Sequence, residues 1–359
     1  MSVTRRELEQ LCRARPDEPG PWLVYTDWLL EHGDPEGERA VARRHSSPTE
    51  ADLLFAGRIR ELAWRFGFLS AVGIRRFGDD AHAPPDELGD LTRSVLSSPV
   101  ARFVDSIRFG PPGDITSRGD YDGSGDWTAT MSAVVASTQA PWIRELVFDN
   151  VDYEPAGGAF HFGFGDFSSA WSRLPRLERL FIDSGSSGRL GELDLPTLRT
   201  FSFSSKFETA GHDIAAICDA RWPALEYLEL DVDTRSDYVG PDGCGGLERL
   251  FDGDGFPVLA HLRLGLAPRT LFGDLIGVIA RSRILPRLRS LTLRTAPLDG
   301  GVVDAMVHNA AVFRHLDAIA LVGTSFDVPQ ELYTVLHDAM PNFRGDILDS
   351  RESFDRSAC

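Results

Sequence analysis

Three aspartates stand at corresponding places of a repeated sequence pattern, where they could act together on a substrate. Asp149, Asp183 and Asp231 each follow directly after a short run of alternating apolar residues. On neighbouring strands, residues at such places have backbones about 4.8 Å apart. Two carboxylates at that separation can share a proton or bind a divalent cation. A metal-dependent or acid–base hydrolase is therefore one candidate function, and a solvated ion cluster that includes Arg179 is the competing interpretation.

Other catalytic signatures are missing from the sequence. The histidines fall in different repeats, and no G-x-S-x-G sequence marks a nucleophile, so a Ser/His/Asp hydrolase is not indicated. Residues 122–126 read DGSGD, which is acidic and lacks the G-K-[ST] ending of a phosphate-binding loop. The four cysteines are scattered without C-x-x-C spacing, which argues against a zinc site or a disulfide framework. We expect no metal, no cofactor and no catalytic residue.

A short pattern, apolar-x-x-apolar-x-apolar, must position these side chains, and residues 288–293 are its clearest copy. Side chains alternate along a strand, so the last two apolar residues share one face. The pattern occurs nine times, with its central residues 21 to 39 positions apart. These central residues are Val72, Ile107, Leu146, Leu180, Phe201, Leu228, Leu262, Leu291 and Ile319. Leucine-rich repeats usually have about 20 to 29 residues, so these spacings match that length or exceed it.

The segments between the copies have room for outer helices. Apolar residues three or four positions apart predict helices at 86–96, 127–138, 212–220, 270–281, 300–309 and 330–339. The shortest step, from Leu180 to Phe201, is rich in glycine and serine and predicts only a turn. One strand–helix unit cannot bury its own apolar face, so stacked units must stabilise one another. We predict an α/β solenoid, a horseshoe with parallel inner strands and outer helices.

The residues between the apolar positions should form the concave inner face. They comprise acidic side chains in the middle of the array and Arg and His towards its C-terminal end, a mixture that suits a protein partner with patches of both signs. The predicted partner-binding residues are Glu145, Asp149, Arg179, Phe181, Asp183, Tyr227, Glu229, Asp231, His261, Arg263 and Arg294. The favoured function is a non-enzymatic scaffold that binds an unknown protein there. A regulatory or defence-related sensor that signals through the N-terminal segment is a further alternative.

Composition narrows the choice of partner. The chain has 54 acidic against 37 basic residues, a formal net charge of -17, and Lys206 is its single lysine. Because nucleic acids and anionic membranes require basic surfaces, neither is an expected partner. No apolar run approaches the roughly 18 to 20 residues of a membrane span. We expect a cytoplasmic monomer.

The N-terminal region reads as a helical module. Thr4 and Glu7 resemble a capping box for a helix over 4–14, and Trp22, Tyr25 and Trp28 follow helical spacing before Gly33. Residues 48–66 are predicted to form a second short helix pair that covers the solenoid end. The predicted domains are a helical module at 1–45, a helical cap or linker at 46–66, the solenoid at 67–345 and a flexible tail at 346–359.

Residues 16–38, PDEPGPWLVYTDWLLEHGDPEGE, resemble the bacterial repeat-companion domain. That family reads L-V-Y-A-D-W-L-E-E-x-G-D-P-x-G-E and precedes leucine-rich-repeat-like regions. The repeats that follow resemble the ribonuclease-inhibitor-like class of leucine-rich repeats. One departure is that the positions of the usual asparagine ladder hold other residues, Asp233 and Ala267 among them. The resemblance implies a repeat protein and implies no catalytic activity.

Overall fold

The computed structural model describes residues 3–45, 59–74, 87–112, 125–149, 163–185, 188–205, 211–233, 247–267, 272–295, 300–323 and 330–344. The predicted tail at 346–359, most of the predicted linker at 46–58 and part of the DGSGD segment lie outside these residues. The statements that follow concern the described part of the chain.

The N-terminal module consists of three helices, α1 (Arg5–Ala14), α2 (Pro19–Glu31) and α3 (Pro35–His45). The predicted capping box is present: the Glu7 backbone N–H donates to the Thr4 hydroxyl over 3.4 Å, and the Thr4 backbone N–H donates to the Glu7 carboxylate over 2.8 Å. This exchange satisfies donors that the first helical turn would otherwise leave open.

Strands and helices alternate through the rest of the molecule. In chain order they are β1 (Ile59–Arg65), β2 (Phe68–Ile74), α4 (Glu87–Ser97), β3 (Ser106–Phe109), α5 (Thr128–Ala136), β4 (Glu145–Phe148), β5 (Arg179–Ser184), β6 (Thr200–Ser205), α6 (Gly211–Asp219), β7 (Tyr227–Asp233), α7 (Glu248–Asp252), β8 (His261–Ala267), α8 (Phe272–Ala280), β9 (Ser290–Thr295), α9 (Gly300–His308), α10 (Ala310–Phe313), β10 (Ala318–Gly323), α11 (Gln330–Ala339) and β11 (Phe343–Arg344). The strands form one sheet in sequence order. The pair β1–β2 is antiparallel and the other neighbouring pairs are parallel.

All nine predicted strands are present, and their register is continuous. Each central residue of the pattern pairs with the central residue of the next copy, from Val72 to Ile319. These nine side chains are buried in the main hydrophobic core together with residues of the outer helices. The strand–helix repeat therefore buries its apolar face by stacking, as the sequence predicts. The fold is a mixed α/β, solenoid-like repeat.

The six predicted outer helices are confirmed as α4, α5, α6, α8, α9 and α11. The described part of the step between β5 and β6 contains no helix, as predicted, and Leu190, Leu193 and Leu195 fill the core there. In this region Trp171 donates its indole N–H to the carbonyl oxygen of Leu190 over 2.7 Å. The indole N–H of this buried tryptophan, which precedes β5, is thereby satisfied.

The prediction of helix at 59–66 is wrong, because β1 occupies Ile59–Arg65 and pairs with β2 as a hairpin. The turn residues Phe66 and Gly67 have φ of 53° and 89°, a combination that suits the twist of an antiparallel hairpin. The half-buried side chains of Leu62 and Trp64 alternate with exposed Ala63, which is strand periodicity. The short β11 was not predicted either; it extends the central row because Phe343 pairs with Ile319.

The N-terminal module packs on this hairpin through a second, smaller core. The ring of Trp22 lies 4.8 Å from that of Phe103 and 5.4 Å from that of Phe68, measured between centroids. At Gly67 the backbone of α3 comes so close that an added Cβ would lie 2.2 Å from the carbonyl oxygen of Ala40. The module therefore covers the first strands by direct contact. No described helix has both the length and the apolar character needed to cross a membrane.

Candidate functional site: the polar face of the sheet

The parallel strands have two faces, and the face turned away from the core is called the polar face below. Its three rows of residues run across β4 to β9 in register. The first row is Glu145, Arg179, Thr200, Tyr227, His261 and Ser290; the second is Val147, Phe181, Ser202, Glu229, Arg263 and Thr292; the third is Asp149, Asp183, Ser204, Asp231, Gly265 and Arg294. All eleven predicted partner-binding residues lie on this face. Whether they bind a partner stays a prediction.

Glu145 is the centre of the first ion cluster on the polar face. Its carboxylate accepts a hydrogen bond from the Ser106 hydroxyl over 2.6 Å and an ion-pair contact from Arg179 Nε over 3.1 Å. The three residues come from β3, β4 and β5, so the cluster ties neighbouring strands together. Because both ions remain partly exposed to water, the pair contributes little to stability and mainly orients the two side chains.

Glu229 organises a second cluster three strands further along. Arg263 Nε lies 3.1 Å from its Oε1, while the hydroxyls of Ser202 and Tyr227 donate to Oε2 over 3.0 and 3.3 Å. One carboxylate thus receives donors from β6, β7 and β8. The aromatic ring of Tyr227 is held in place by the same carboxylate that neutralises Arg263.

Asp231 forms an ion pair with Arg294, although β8 lies between their strands. Gly265 is the β8 residue at this level, and it pairs with Asp231 on one side and Arg294 on the other. A Cβ at Gly265 would lie 2.4 Å from Asp231 Oδ1 and 3.2 Å from Arg294 Cβ. The missing side chain therefore provides the space through which the ions meet.

The graded charge expected along this face is thus largely neutralised within the molecule. Glu145, Glu229 and Asp231 form cross-strand pairs with Arg179, Arg263 and Arg294, respectively. Arg179, Arg263 and Arg294 keep part of their surface in water while engaged in these pairs. The result is a face of fixed, paired ions, since a guanidinium bound to a carboxylate loses much of its rotational freedom.

The three aspartates of the hydrolase hypothesis do not meet at one point. Asp149 and Asp183 are neighbours, because the residues before them, Phe148 and Ile182, pair between β4 and β5. Both are buried, with 8% and 7% of their surface exposed. Asp231 lies two strands from Asp183, beyond Ser204, and is paired with Arg294. Within the described residues, no group of three His, Cys, Asp or Glu side chains could hold a metal ion.

The structure also brings together a serine and a histidine that the sequence does not mark as partners. His261 Nδ1 lies 2.8 Å from the Ser290 hydroxyl oxygen on adjacent strands β8 and β9. A catalytic triad requires a carboxylate on the second ring nitrogen of the histidine. Within the described residues, no carboxylate is hydrogen bonded to His261.

Strand β6 carries small side chains along the middle of the polar face. The β6 residues facing outward are Thr200, Ser202 and Ser204, and each has a larger side chain beside it on both sides. Phe181 lies next to Ser202 on β5, and Tyr227 lies next to Thr200 on β7. A row of hydroxyl groups thus lies between two strands with larger side chains, and Thr200, Ser202 and Phe181 are themselves buried, with 6 to 8% of their surface exposed.

A charge ladder at the starts of the strands was missed in the sequence. In five successive repeats, the charge of the residue at the first variable position of the pattern alternates in sign. These residues are Asp105, Arg144, Glu178, Arg199 and Glu226. Arg144 donates two hydrogen bonds of 2.9 Å to Glu178, and Arg199 donates one of 2.7 Å to Glu226. The bonds to Glu178 raise the pKa of Arg144. Aligning the nine copies by this position would have revealed the alternation.

Comparisons with known proteins bear on the fold alone. No protein-family model matches the chain, and no curated protein matches it. Its structure is similar to the crystal structure of a Bacteroides fragilis protein determined by a structural genomics consortium, with a TM-score of 0.56 and 20% sequence identity. The similarity covers 76% of this chain and 74% of that chain. It extends over most of both molecules and shows a shared architecture.

Proposed function

We propose that the protein is a non-enzymatic binding module of the leucine-rich-repeat type that holds another protein on its polar face. In this proposal the sheet curves as a horseshoe and the polar face is its concave side. The register of β4 to β9 supports the proposal, because it collects variable side chains from six repeats on one continuous surface. Surfaces of this kind in repeat proteins bind extended or convex partners.

The observation that carries the proposal is the pair of ion clusters that hold Tyr227 and two arginines in fixed positions beside the small side chains of β6. A side chain of the partner packs on the ring of Tyr227, while the ion clusters of Glu145 and Glu229 meet polar groups around it. Aromatic and arginine side chains are the usual anchors of protein interfaces. Because the Glu229 cluster already orients Tyr227 and Arg263, binding requires little additional ordering of these side chains.

The test expresses the chain with an affinity tag in cells of the source organism, cross-links it to its neighbours and then purifies it with the proteins attached to it. Two variants change the surface, Tyr227→Ala and Glu229→Arg. A third, Glu229→Arg with Arg263→Glu, exchanges the two ions and preserves their attraction. We expect each variant to reduce partner recovery at least about tenfold, the effect of roughly 1.4 kcal/mol at an anchor.

Two controls separate binding from folding. The exchanged pair restores the attraction between the two side chains, so its stability should approach that of the natural chain while its surface remains altered. Arg249→Ala changes an arginine on outer helix α7 whose side chain is 67% exposed and should leave recovery unchanged. Equal recovery of one partner by the natural chain and all three polar-face variants would contradict the proposed location.

A second candidate is supported by the buried neighbours Asp149 and Asp183. Two adjacent carboxylates in a partly dry environment favour a divalent cation, which could support hydrolysis. Excess Mg²⁺, Ca²⁺ or Mn²⁺ should then raise the melting temperature of the natural chain and leave that of Asp149→Asn unchanged. An equal response of both chains to each cation would exclude this candidate in favour of the binding module.

A further inference from the structure

A small cavity lies where the N-terminal module meets the sheet. Four arginines and one carboxylate are among its lining residues: Arg13 from α1, Arg65 from β1, and Arg102, Arg144 and Asp105 from the segments around β3 and β4. Its volume is about 20 Å³. That is room for one group of the size of a water molecule.

Three of the four arginines have carboxylate partners of their own. The nitrogen–oxygen contacts are Arg65–Asp105 at 2.7 Å, Arg144–Glu178 at 2.9 Å and Arg102–Glu9 at 3.3 Å. The carboxylate of Asp17 also lies 3.3 Å from Arg144 and 3.6 Å from Arg65. The single carboxylate of the cavity wall is thus engaged by Arg65. Glu9, the acidic residue of α1 nearest to this junction, accepts hydrogen bonds from Arg5, Tyr25 and Arg102.

Arg13 is the exception. Its Nη2 donates to the carbonyl oxygen of Arg102 over 2.7 Å, while its Nε is buried and has no hydrogen-bond acceptor among the described residues. Its guanidinium carbon lies 5.6 Å from the ring centroid of Phe103 and 5.4 Å from that of Trp142. These rings attract the cation but do not neutralise it. No described carboxylate forms an ion pair with Arg13.

A half-buried cation without a counter-charge is unfavourable, because burial removes the water that would stabilise its charge. The same burial lowers the pKa of Arg13, and the nearby carboxylate of Glu9 offsets only part of this effect. An acceptor placed in the cavity would meet the orphaned N–H of Arg13, while the three further guanidinium groups at its border are paired with carboxylates.

We propose that this cavity binds a monovalent inorganic anion of halide size, with Arg13 Nε as its principal donor. The cavity is small, so a compact monatomic anion fits it better than a large organic anion. A neutral water molecule would accept the hydrogen bond of Nε but would leave the charge of Arg13 unbalanced. Since the cavity is formed by α1 on one side and the sheet on the other, the anion joins the module to the repeats.

This assignment predicts that halides stabilise the folded chain specifically. An anion that binds only the folded state raises stability with its concentration. Thermal unfolding is measured in chloride, in bromide and in gluconate, which is too large for the cavity, at constant ionic strength. We expect the melting temperature of the natural chain to be about 2 to 4 °C higher in either halide than in gluconate.

Two variants distinguish this site from general salt effects. Arg13→Gln removes the donor cation and should give the same melting temperature in all three anions. Arg15→Gln is the matched control, because Arg15 follows the same helix, its side chain is 58% exposed and it pairs with exposed Glu18. This variant should retain the halide response of the natural chain.

Crystals of the natural chain soaked in bromide provide a direct test that requires no variant. The proposal expects an anomalous scattering peak in the cavity beside Arg13 Nε. Equal melting temperatures of the natural chain in halide and gluconate, or crystals without a bromide peak at Arg13, would overturn it and leave a water molecule as the occupant. If Arg13→Gln does not fold, the melting temperatures and the bromide soak of the natural chain still show whether the cavity binds a halide.

Discussion

Asp231 and Arg294 form an ion pair across a whole strand, because Gly265 between them has no side chain. The two residues are 63 positions apart in the sequence and belong to β7 and β9. Hydrogen bonds of the sheet place them at one level, and the glycine lets them meet above β8. A cross-strand contact of this type depends on three repeats at once.

Replacing Gly265 by Ala should separate this pair. The added Cβ would lie 2.4 Å from Asp231 Oδ1, so the carboxylate must move. Because both ions are partly exposed, we expect a small loss, under about 1 kcal/mol. A double-mutant cycle in urea provides the measurement: Arg294→Ala should cost less stability in the Gly265→Ala background than in the natural chain. Equal costs in both backgrounds would show that the ion pair has no energetic role.

Leu291→Ala should destabilise the repeats severely. Leu291 is the central apolar residue of β9, 1% exposed, and pairs with central residues on both sides. Loss of its buried methyl groups leaves a cavity that costs roughly 2 to 5 kcal/mol. The free energy of unfolding is measured in urea beside Val312→Ala, a control on α10 where the side chain is 43% exposed. A similar, small effect of both substitutions would contradict the packed central row.

Gly67→Ala should loosen the N-terminal module. The glycine has φ of 89°, and its added Cβ would lie 2.2 Å from the backbone oxygen of Ala40, which cannot move without shifting α3. Strain at one such residue costs about 1 to 3 kcal/mol. Limited proteolysis should cut the variant faster between module and repeats. Gly20→Ala is the control, because nothing lies within 4 Å of a Cβ there. Equal cleavage rates would count against a close contact between α3 and the hairpin.

The buried thiols should react slowly in the folded protein. Burial raises the pKa of Cys12 and of Cys218 to about 12, so both remain protonated near pH 8, and the thiolate is the reactive form. In a chain with Cys244→Ser and Cys359→Ser, we expect a thiol-specific disulfide reagent to label Cys12 and Cys218 only after denaturation. Prompt labelling of either thiol in the native chain at pH 8 would contradict their burial.

The same shift has a consequence for stability. The unfolded chain releases these protons near the ordinary thiol pKa of 9.0, whereas the folded chain holds them until about 12. The contribution of the protonated, buried thiols to the free energy of unfolding is therefore fully present below pH 9 and is lost as the pH rises towards 12. Urea unfolding between pH 8 and 11 measures it, and Cys218→Ala in the same background should reduce the decline. If the loss of stability between pH 8 and 11 is the same in this variant, groups other than Cys218 cause it.

Much of the fold could be predicted from local spacing. The apolar pattern located nine strands, because alternation along a strand requires only a few neighbouring residues, as in Leu291 and Leu293. Six helices followed from apolar residues three or four apart. The hairpin strand β1 was missed because Ile59, Leu62 and Ala63 fit helical spacing as well, and only its pairing with β2 decides between the two.

The sequence by itself determined which side chains face away from the core, including every residue of the predicted binding surface. It did so because each repeat carries its own register. Only the tertiary structure decided which of these side chains meet. The contacts of Asp231 with Arg294, of His261 with Ser290 and of Arg13 with Trp142 join segments 29 or more residues apart. Such pairs depend on how repeats stack and where the module packs, and no local pattern encodes that geometry.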